Sequence, residues 1–212
     1  MAHEHDHEHD HDSGDEHDSG DEHGHHDEEE VAVEEARAEA ETDARRRLAL
    51  AQIRQYPDSA LRLVAHDVTE FDDDLRRLVD RMIVLMHDAQ GVGLAATQVG
   101  VLRRLFVFEP DDEGPRAVVN PTIVERGKET DTDEEGCLSL QGVRVPVERR
   151  TSMTIEGKDE HGADVRFELD AHAARIVQHE LDHLDGVLII DRTDDEHRKE
   201  ALATLRPRVV LR

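Results

Sequence analysis

Gln178-His179-Glu180-Leu181-Asp182-His183 is the stretch whose reading decides the fold. On a helix, His179 and His183 lie one turn apart on the same face, so both imidazoles can reach one ion. Glu180 stands beside the first ligand, where a carboxylate can act as general base on a water at that ion. The same spacing recurs at His3–His7 and His7–His11, but there it sits in a polar run with no apolar residue to anchor a helix. Around 179–183 the context differs. Ile176, Val177, Leu181 and Leu184 follow a helical spacing, Asp170 reads as an N-cap and Gly186 as the stop. Together they predict a buried amphipathic helix over about 171–185.

The chain holds one cysteine, Cys137, in Glu134-Glu135-Gly136-Cys137-Leu138-Ser139. Added to the two histidines it completes a Cys-His-His set and leaves a fourth position open, as a catalytic metal site requires. Two other metalloenzyme classes compete. A metzincin-type protease needs a third histidine three residues after Gly186, and Ile189 stands there. A thermolysin-type protease needs a downstream glutamate on a second helix; Glu196 and Glu200 are available but in no apolar setting. Gly91-Val92-Gly93-Leu94-Ala95-Ala96-Thr97-Gln98 follows the apolar-periodic stretch Leu75 to Met86. Gly91 reads as a helix terminator, Gly93 permits close backbone approach, and the Gln98 amide can point at a reacting carbonyl.

In order along the chain, Gly-Val-Gly-Leu-Ala-Ala-Thr-Gln at 91–98, Glu-Gly-Cys-Leu-Ser at 135–139 and Gln-His-Glu-Leu-Asp-His at 178–183 resemble the peptide deformylases. Tyr56-Pro57-Asp58, Asn120-Pro121 and Asp185-Gly186-Val187-Leu188 are similar too, so the resemblance covers roughly 52–192. It implies removal of the N-formyl group from the starting methionine of new polypeptides, with release of formate. It implies that Cys137, His179 and His183 hold one divalent metal, Fe(II) first, with Zn or Ni able to occupy the site. Glu180 would move the proton from water to the leaving amine. Gln98 and the backbone N–H of Leu138 would stabilise the oxyanion, and Gly93 would lie along the substrate backbone. Glu135 and Arg149 resemble a pair that braces the cysteine loop, and Arg144 a substrate-contacting arginine. The implied partners are formylated nascent polypeptides, met at the ribosome. Two further readings stay beside this one: a metallopeptidase, and a deformylase-like metal-binding protein with an altered substrate.

The sequence departs from the family twice. Where the family usually reads Gly-Leu-Leu-Ala at the helix entry, Ala171-His172-Ala173-Ala174 stands. His172, two turns before His179, is then a candidate to line the side-chain pocket beside Ile176. Gln141 replaces the usual proline two residues after Ser139.

Composition bounds the rest. The net charge is −26. Residues 1–30 carry 14 Asp/Glu, no Lys/Arg and nine His, which leaves −12 on residues 31–212. The first thirty residues cannot bury apolar surface and are expected to be disordered. They are either a metal-gathering arm or a solubilising tail. Residues 31–50 are expected to form a helical extension, 51–192 the catalytic domain, and 193–212 a helical C-terminal segment. The expected fold is α+β: strands at 105–108, 117–119, 143–147, 153–156 and 165–169, antiparallel or mixed around the metal helix, with a further helix at about 70–90. No apolar run is long enough to span a membrane, the acidic N-terminus is unlike a signal peptide, and a lone ligand cysteine suits a reducing cytoplasm. The acidic surface argues against direct nucleic-acid binding, and a monomer is expected. Only 3 of the 26 basic residues are Lys. A GC-rich genome accounts for that, as does a high-salt cytoplasm in which screening relieves self-repulsion. The second account predicts that stability and activity both rise from dilute buffer to molar salt. A flat response of both, by unfolding midpoint and initial rate, would remove it.

Overall fold

From His25 to Leu50 no Gly or Pro interrupts a run rich in Ala, Glu and Arg, and this run forms helix α1 (His23–Leu50). It begins at His23 rather than at Val31, because the acidic residues before Val31 are themselves compatible with a helix. The computed structural model describes residues 23–110 and 114–206, so the expectation of a disordered tail falls, for residues 1–22, outside them. The chain divides into two units, 1–41 and 42–212. The first carries α1 as far as Glu41. The second carries all the remaining elements.

In the second unit, α2 (Asp73–Asp88) starts on Asp72, whose Oδ1 accepts from the Leu75 N–H at 2.9 Å. Its end differs from the expectation. Gln90, not Gly91, takes the left-handed position, with φ of 59°. The Gln90 and Gly91 N–H groups donate to His87 and Met86 at 2.8 and 2.9 Å, closing the helix in a Schellman turn. A Cβ at Gly91 would stand 2.8 Å from Leu138 Cδ1, so the end of that side chain would have to turn aside.

Among the described residues, seven strands follow α2. β1 (Gly93–Ala95), β2 (Leu105–Phe108), β3 (Arg116–Arg126), β6 (Ser152–Lys158) and β7 (Asp164–Asp170) form a five-stranded antiparallel sheet in the order β1-β2-β3-β6-β7. β4 (Thr130–Gly136) and β5 (Arg144–Arg150) form a separate two-stranded ribbon. Sequence reading ends the third strand at Val119, before Asn120-Pro121. The strand instead runs on to Arg126, because a register shift between Val119 and Thr122 absorbs the proline. Asn120, with φ of 52°, turns its amide onto Val68, accepting from its N–H and donating to its carbonyl, both at 2.8 Å. Strands β1 and β4 lie outside the sequence expectation.

All four residues of β2 are buried because both sheet faces are covered. Leu105 and Val107 pack against Leu75, Val79, Met82 and Met86 of α2. Phe106 and Phe108 pack against Ala174, Val177, Leu181 and Leu184 of α3 (Ala171–Leu184). Each fully buried side chain of this size contributes ~1.5–3 kcal/mol. The ribbon has its own apolar layer: Val143, Val145 and Val147 meet Leu188, Ile189, Ile190 and Ala201 of α4 (Asp195–Leu205).

Helix α3 covers the residues expected of it, but its entry is strained. The Asp170 side chain makes no capping hydrogen bond, and Ala171 has a φ of 37°. This is the position where the family resemblance leads one to expect glycine. A Cβ in left-handed backbone costs about 1–2 kcal/mol, against ~0.4–1 kcal/mol for the extra freedom glycine gives the unfolded chain. Ala171→Gly is therefore expected to stabilise the protein by about 0.5–1 kcal/mol. Urea unfolding checks it, and an unchanged or lower midpoint contradicts it.

Candidate metal centre

The geometry begins with a helix face and a strand end. His179 and His183 project from the same side of α3, their ring centroids 5.0 Å apart. Cys137 comes directly after β4. Their ligating atoms all lie within 4.8 Å of one another, the one such group of His, Cys, Asp or Glu among the described residues. Cys137 Sγ is 3.2 Å from His183 Nε2. His179 Nδ1 donates to Glu135 Oε2 at 3.0 Å, which leaves Nε2 as the ligating atom. Burial, and after it the neighbouring His179 and Arg149, hold His183 well below the usual imidazole range, in the neutral form a ligand needs. Burial would lower His179 as well, but hydrogen bonds to Cys137 and Glu135 outweigh it and draw His179 well upward. The buried His183 Nδ1 and Glu180 Oε2 have no hydrogen-bond partner. This donor set fits one divalent ion with an open position.

Glu180 is buried, and desolvation pushes its carboxyl up to about 7. Gly93 makes room for it: a Cβ on Gly93 would stand 2.4 Å from Glu180 Oε1. Gln98 is fixed at both ends. Its Oε1 accepts from the Ala95 N–H at 2.9 Å, and its Nε2 donates to Ser139 Oγ at 3.1 Å and faces Cys137 Sγ at 3.8 Å. Gln55 Nε2 donates to the Leu138 carbonyl at 3.0 Å. Gln141, in the place of the family's proline, does the same at 2.6 Å. Hence the substitution does not leave that turn without a tether.

These groups open on a cleft of about 520 Å³. Of the residues singled out from sequence, Gly93, Gln98, Cys137, Leu138, Arg144, His172, Ile176, His179 and Glu180 line it, and His183 lies behind them. Ile176 is a buried wall, while His172 and Arg144 are exposed at the rim.

Behind the ligands lies a buried ionic cluster. Arg149 forks onto Glu135, with Nε–Oε1 at 2.9 Å and Nη2–Oε2 at 3.0 Å, and reaches Asp182 at 2.6 Å. Arg175 donates to Glu135 Oε1 at 2.9 Å, and Arg192 holds the other side of Asp182. Burial alone would raise Glu135; hydrogen bonds from His179 and Arg149 outweigh it and hold the carboxyl at about 2. Sequence reading gave the Glu135–Arg149 pair but missed Arg175, Asp182 and Arg192. Spacing held a signal for two of them, since Arg175 and Asp182 lie four before and three after His179 on one helix face.

A buried carboxylate beside three metal ligands, with an amide donor facing the same cleft, defines a metal-dependent hydrolase. Residues 50–199 match the family Polypeptide deformylase. The peptide deformylase of Thermotoga maritima is 46% identical over 147 residues, 69% of this chain and 89% of that protein. Its crystal structure superposes with a TM-score of 0.65 at 46% identity, covering 67% of this chain and 96% of that one. A peptide deformylase structure from Legionella pneumophila gives a TM-score of 0.69 at 37% identity, covering 72% and 91%. The chain belongs to the polypeptide deformylase family, hydrolases that remove the N-formyl group from peptides.

Removing one partner from a buried ion cluster leaves uncompensated charge and costs about 3–5 kcal/mol. Arg149→Ala is expected to lose close to 3 of those kcal/mol, since Arg175 and Arg192 still face the two carboxylates, and to lower bound metal per chain. Urea unfolding with metal analysis measures both. A loss under about 1 kcal/mol would contradict the assignment.

Proposed function

We propose that the chain hydrolyses the N-formyl group of formyl-methionine at the start of newly made polypeptides and releases formate. The observation that carries this is the buried Glu180 carboxylate with an unpartnered oxygen, set beside the Cys137, His179 and His183 donor atoms. We assign catalysis to a domain at 51–192 and the metal to those three residues, Fe(II) in the cell with Zn or Ni as competent substitutes. A divalent ion there supplies Lewis acidity and lowers the pKa of a water to about 7.

Glu180 accepts the proton of the water whose oxygen attacks the formyl carbon. With its carboxyl near neutral, it then returns that proton to the amine as the C–N bond breaks. The Gln98 Nε2–H and the Leu138 N–H donate to the developing oxyanion. Anchorage of Gln98 Oε1 on Ala95 supports this role, because it fixes which end of the amide faces the cleft. Such a donor is worth ~3–4 kcal/mol in the transition state. Gly93 lies along the peptide backbone, Ile176 walls the methionine pocket, and His172 and Arg144 meet the substrate at the rim. Among the described residues no helix is long and apolar enough to cross a membrane. We place the enzyme in the cytoplasm as a monomer acting on chains emerging from the ribosome, where a thiol ligand stays reduced.

Formate release from a formyl-Met tripeptide by anaerobically prepared, Fe(II)- or Ni(II)-loaded protein tests the reading. Glu180→Ala is expected to lose at least ~10²-fold in kcat with metal still bound, and chelation to abolish turnover until metal is restored. No formate from folded, loaded protein would overturn the proposal.

A further inference from the structure

Arg46 lies outside the residues 50–199 that match the family, near the end of α1, yet it lines the same cleft as Cys137 and Glu180. Its side chain is partly buried, with Nε 3.4 Å from the Ala89 carbonyl, beside the Gln90–Gly93 wall of the cleft. Three arginines line this cleft. Arg175 is held by Glu135, and Arg144 faces Glu134 at 3.6 Å. Arg46 has no carboxylate within ion-pair distance among the described residues, in a chain with 52 Asp and Glu.

The other charged groups of the cleft are largely matched: Glu135 by Arg149 and Arg175, and Glu134 by Arg144. A carboxylate entering the cleft meets Glu134 on one wall and Glu135 and Glu180 at its depth. Arg46 adds to this lining a guanidinium without a carboxylate partner among the described residues, and its N–H donors suit a carboxylate. Such an arrangement discriminates among peptides by the residues downstream of the formylated one, since only a chain longer than formyl-methionine reaches the rim.

We propose that Arg46 is a specificity-determining residue that receives an Asp or Glu side chain of the formylated peptide, shortly downstream of formyl-methionine. The inference rests on the deformylase reading of the same cleft. It makes the helix preceding the catalytic domain part of the substrate site.

The test uses the full-length, metal-loaded protein and formyl-Met peptides that differ only in Asp, Asn or Lys at the second, third or fourth position. At one position the parent is expected to favour Asp over Asn by about two- to fivefold in kcat/KM, and the preference shrinks in molar salt. Arg46→Gln is expected to bring that ratio to unity, Arg46→Lys to keep most of it, and Arg46→Glu to turn the preference toward Lys. Matched circular dichroism and unfolding midpoints accompany each variant. Turnover of the Asn peptides without an Asp preference, or a preference that survives in Arg46→Gln, overturns the inference and leaves the deformylase reading standing. An equal loss on Asp, Asn and Lys peptides in Arg46→Gln overturns it too, since Arg46 would then serve the peptide backbone and not an acid. No formate from any peptide overturns the deformylase reading and this inference with it.

Discussion

The carboxylate of Glu135 is the point on which the site depends. Each oxygen accepts two hydrogen bonds: Oε1 from Arg149 and Arg175, Oε2 from Arg149 and His179. A buried carboxylate without such partners would neutralise itself. With them it stays ionised, and an ionised carboxylate can only accept, so His179 must donate from Nδ1 and turn Nε2 toward Cys137. The same contacts join the β4–β5 ribbon to α3. They bring a cysteine into reach of histidines more than forty residues away. Asp182 repeats the device from the helix side, held between Arg149 and Arg192. Desolvation makes such a cluster a poor source of stability relative to an apolar core. What it supplies is the angle and tautomer of a ligand.

Two glycines do for space what the ionic cluster does for angle. Gly93 lets the Glu180 carboxylate lie against β1, and Gly91 lets Leu138 lie against the end of α2. A Cβ at Gly93 would collide with the Glu180 carboxylate, which the proposed mechanism uses, and one at Gly91 with the end of the Leu138 side chain. Neither glycine adopts a positive φ, so at Gly93 the motif records steric need more than backbone flexibility. Ala171 is the converse case, a side chain where the backbone is left-handed. It sits at the entry to the metal helix, two turns from the first histidine, where the strain touches no ligand.

The acidic character of the chain sharpens the meaning of its buried arginines. Asp and Glu outnumber Lys and Arg two to one, and surface arginines such as Arg62, Arg104 and Arg166 each meet a carboxylate. The arginines that reach the cleft divide by depth. Arg175 belongs to the scaffold, while Arg144 lines the cleft from β5 and Arg46 from the end of α1. Arg46 comes from a helix that precedes the residues shared with the family, so the cleft has an outer wall that the family motifs do not encode.

By itself the sequence determined the chemistry. His179, Glu180 and His183 lie within two helical turns, a spacing that fixes their common face, and the single cysteine offered a third ligand where the alternatives, Glu196 and Glu200, stood in no apolar setting. It also determined α2, α3, α4 and the apolar strands, because burial on one face imprints a period of 3.6 or 2 on the residues. β4 escaped that reading because its residues are almost all exposed and polar, and β1 because three residues carry no period. Only the tertiary structure decided which carboxylate each arginine meets. Arg46, Arg149, Arg175 and Arg192 look alike in the sequence, since an arginine that braces a ligand and one that faces water have the same neighbours along the chain. The difference lies in contacts across tens of residues, and those exist only after the sheet, the ribbon and the helix have packed.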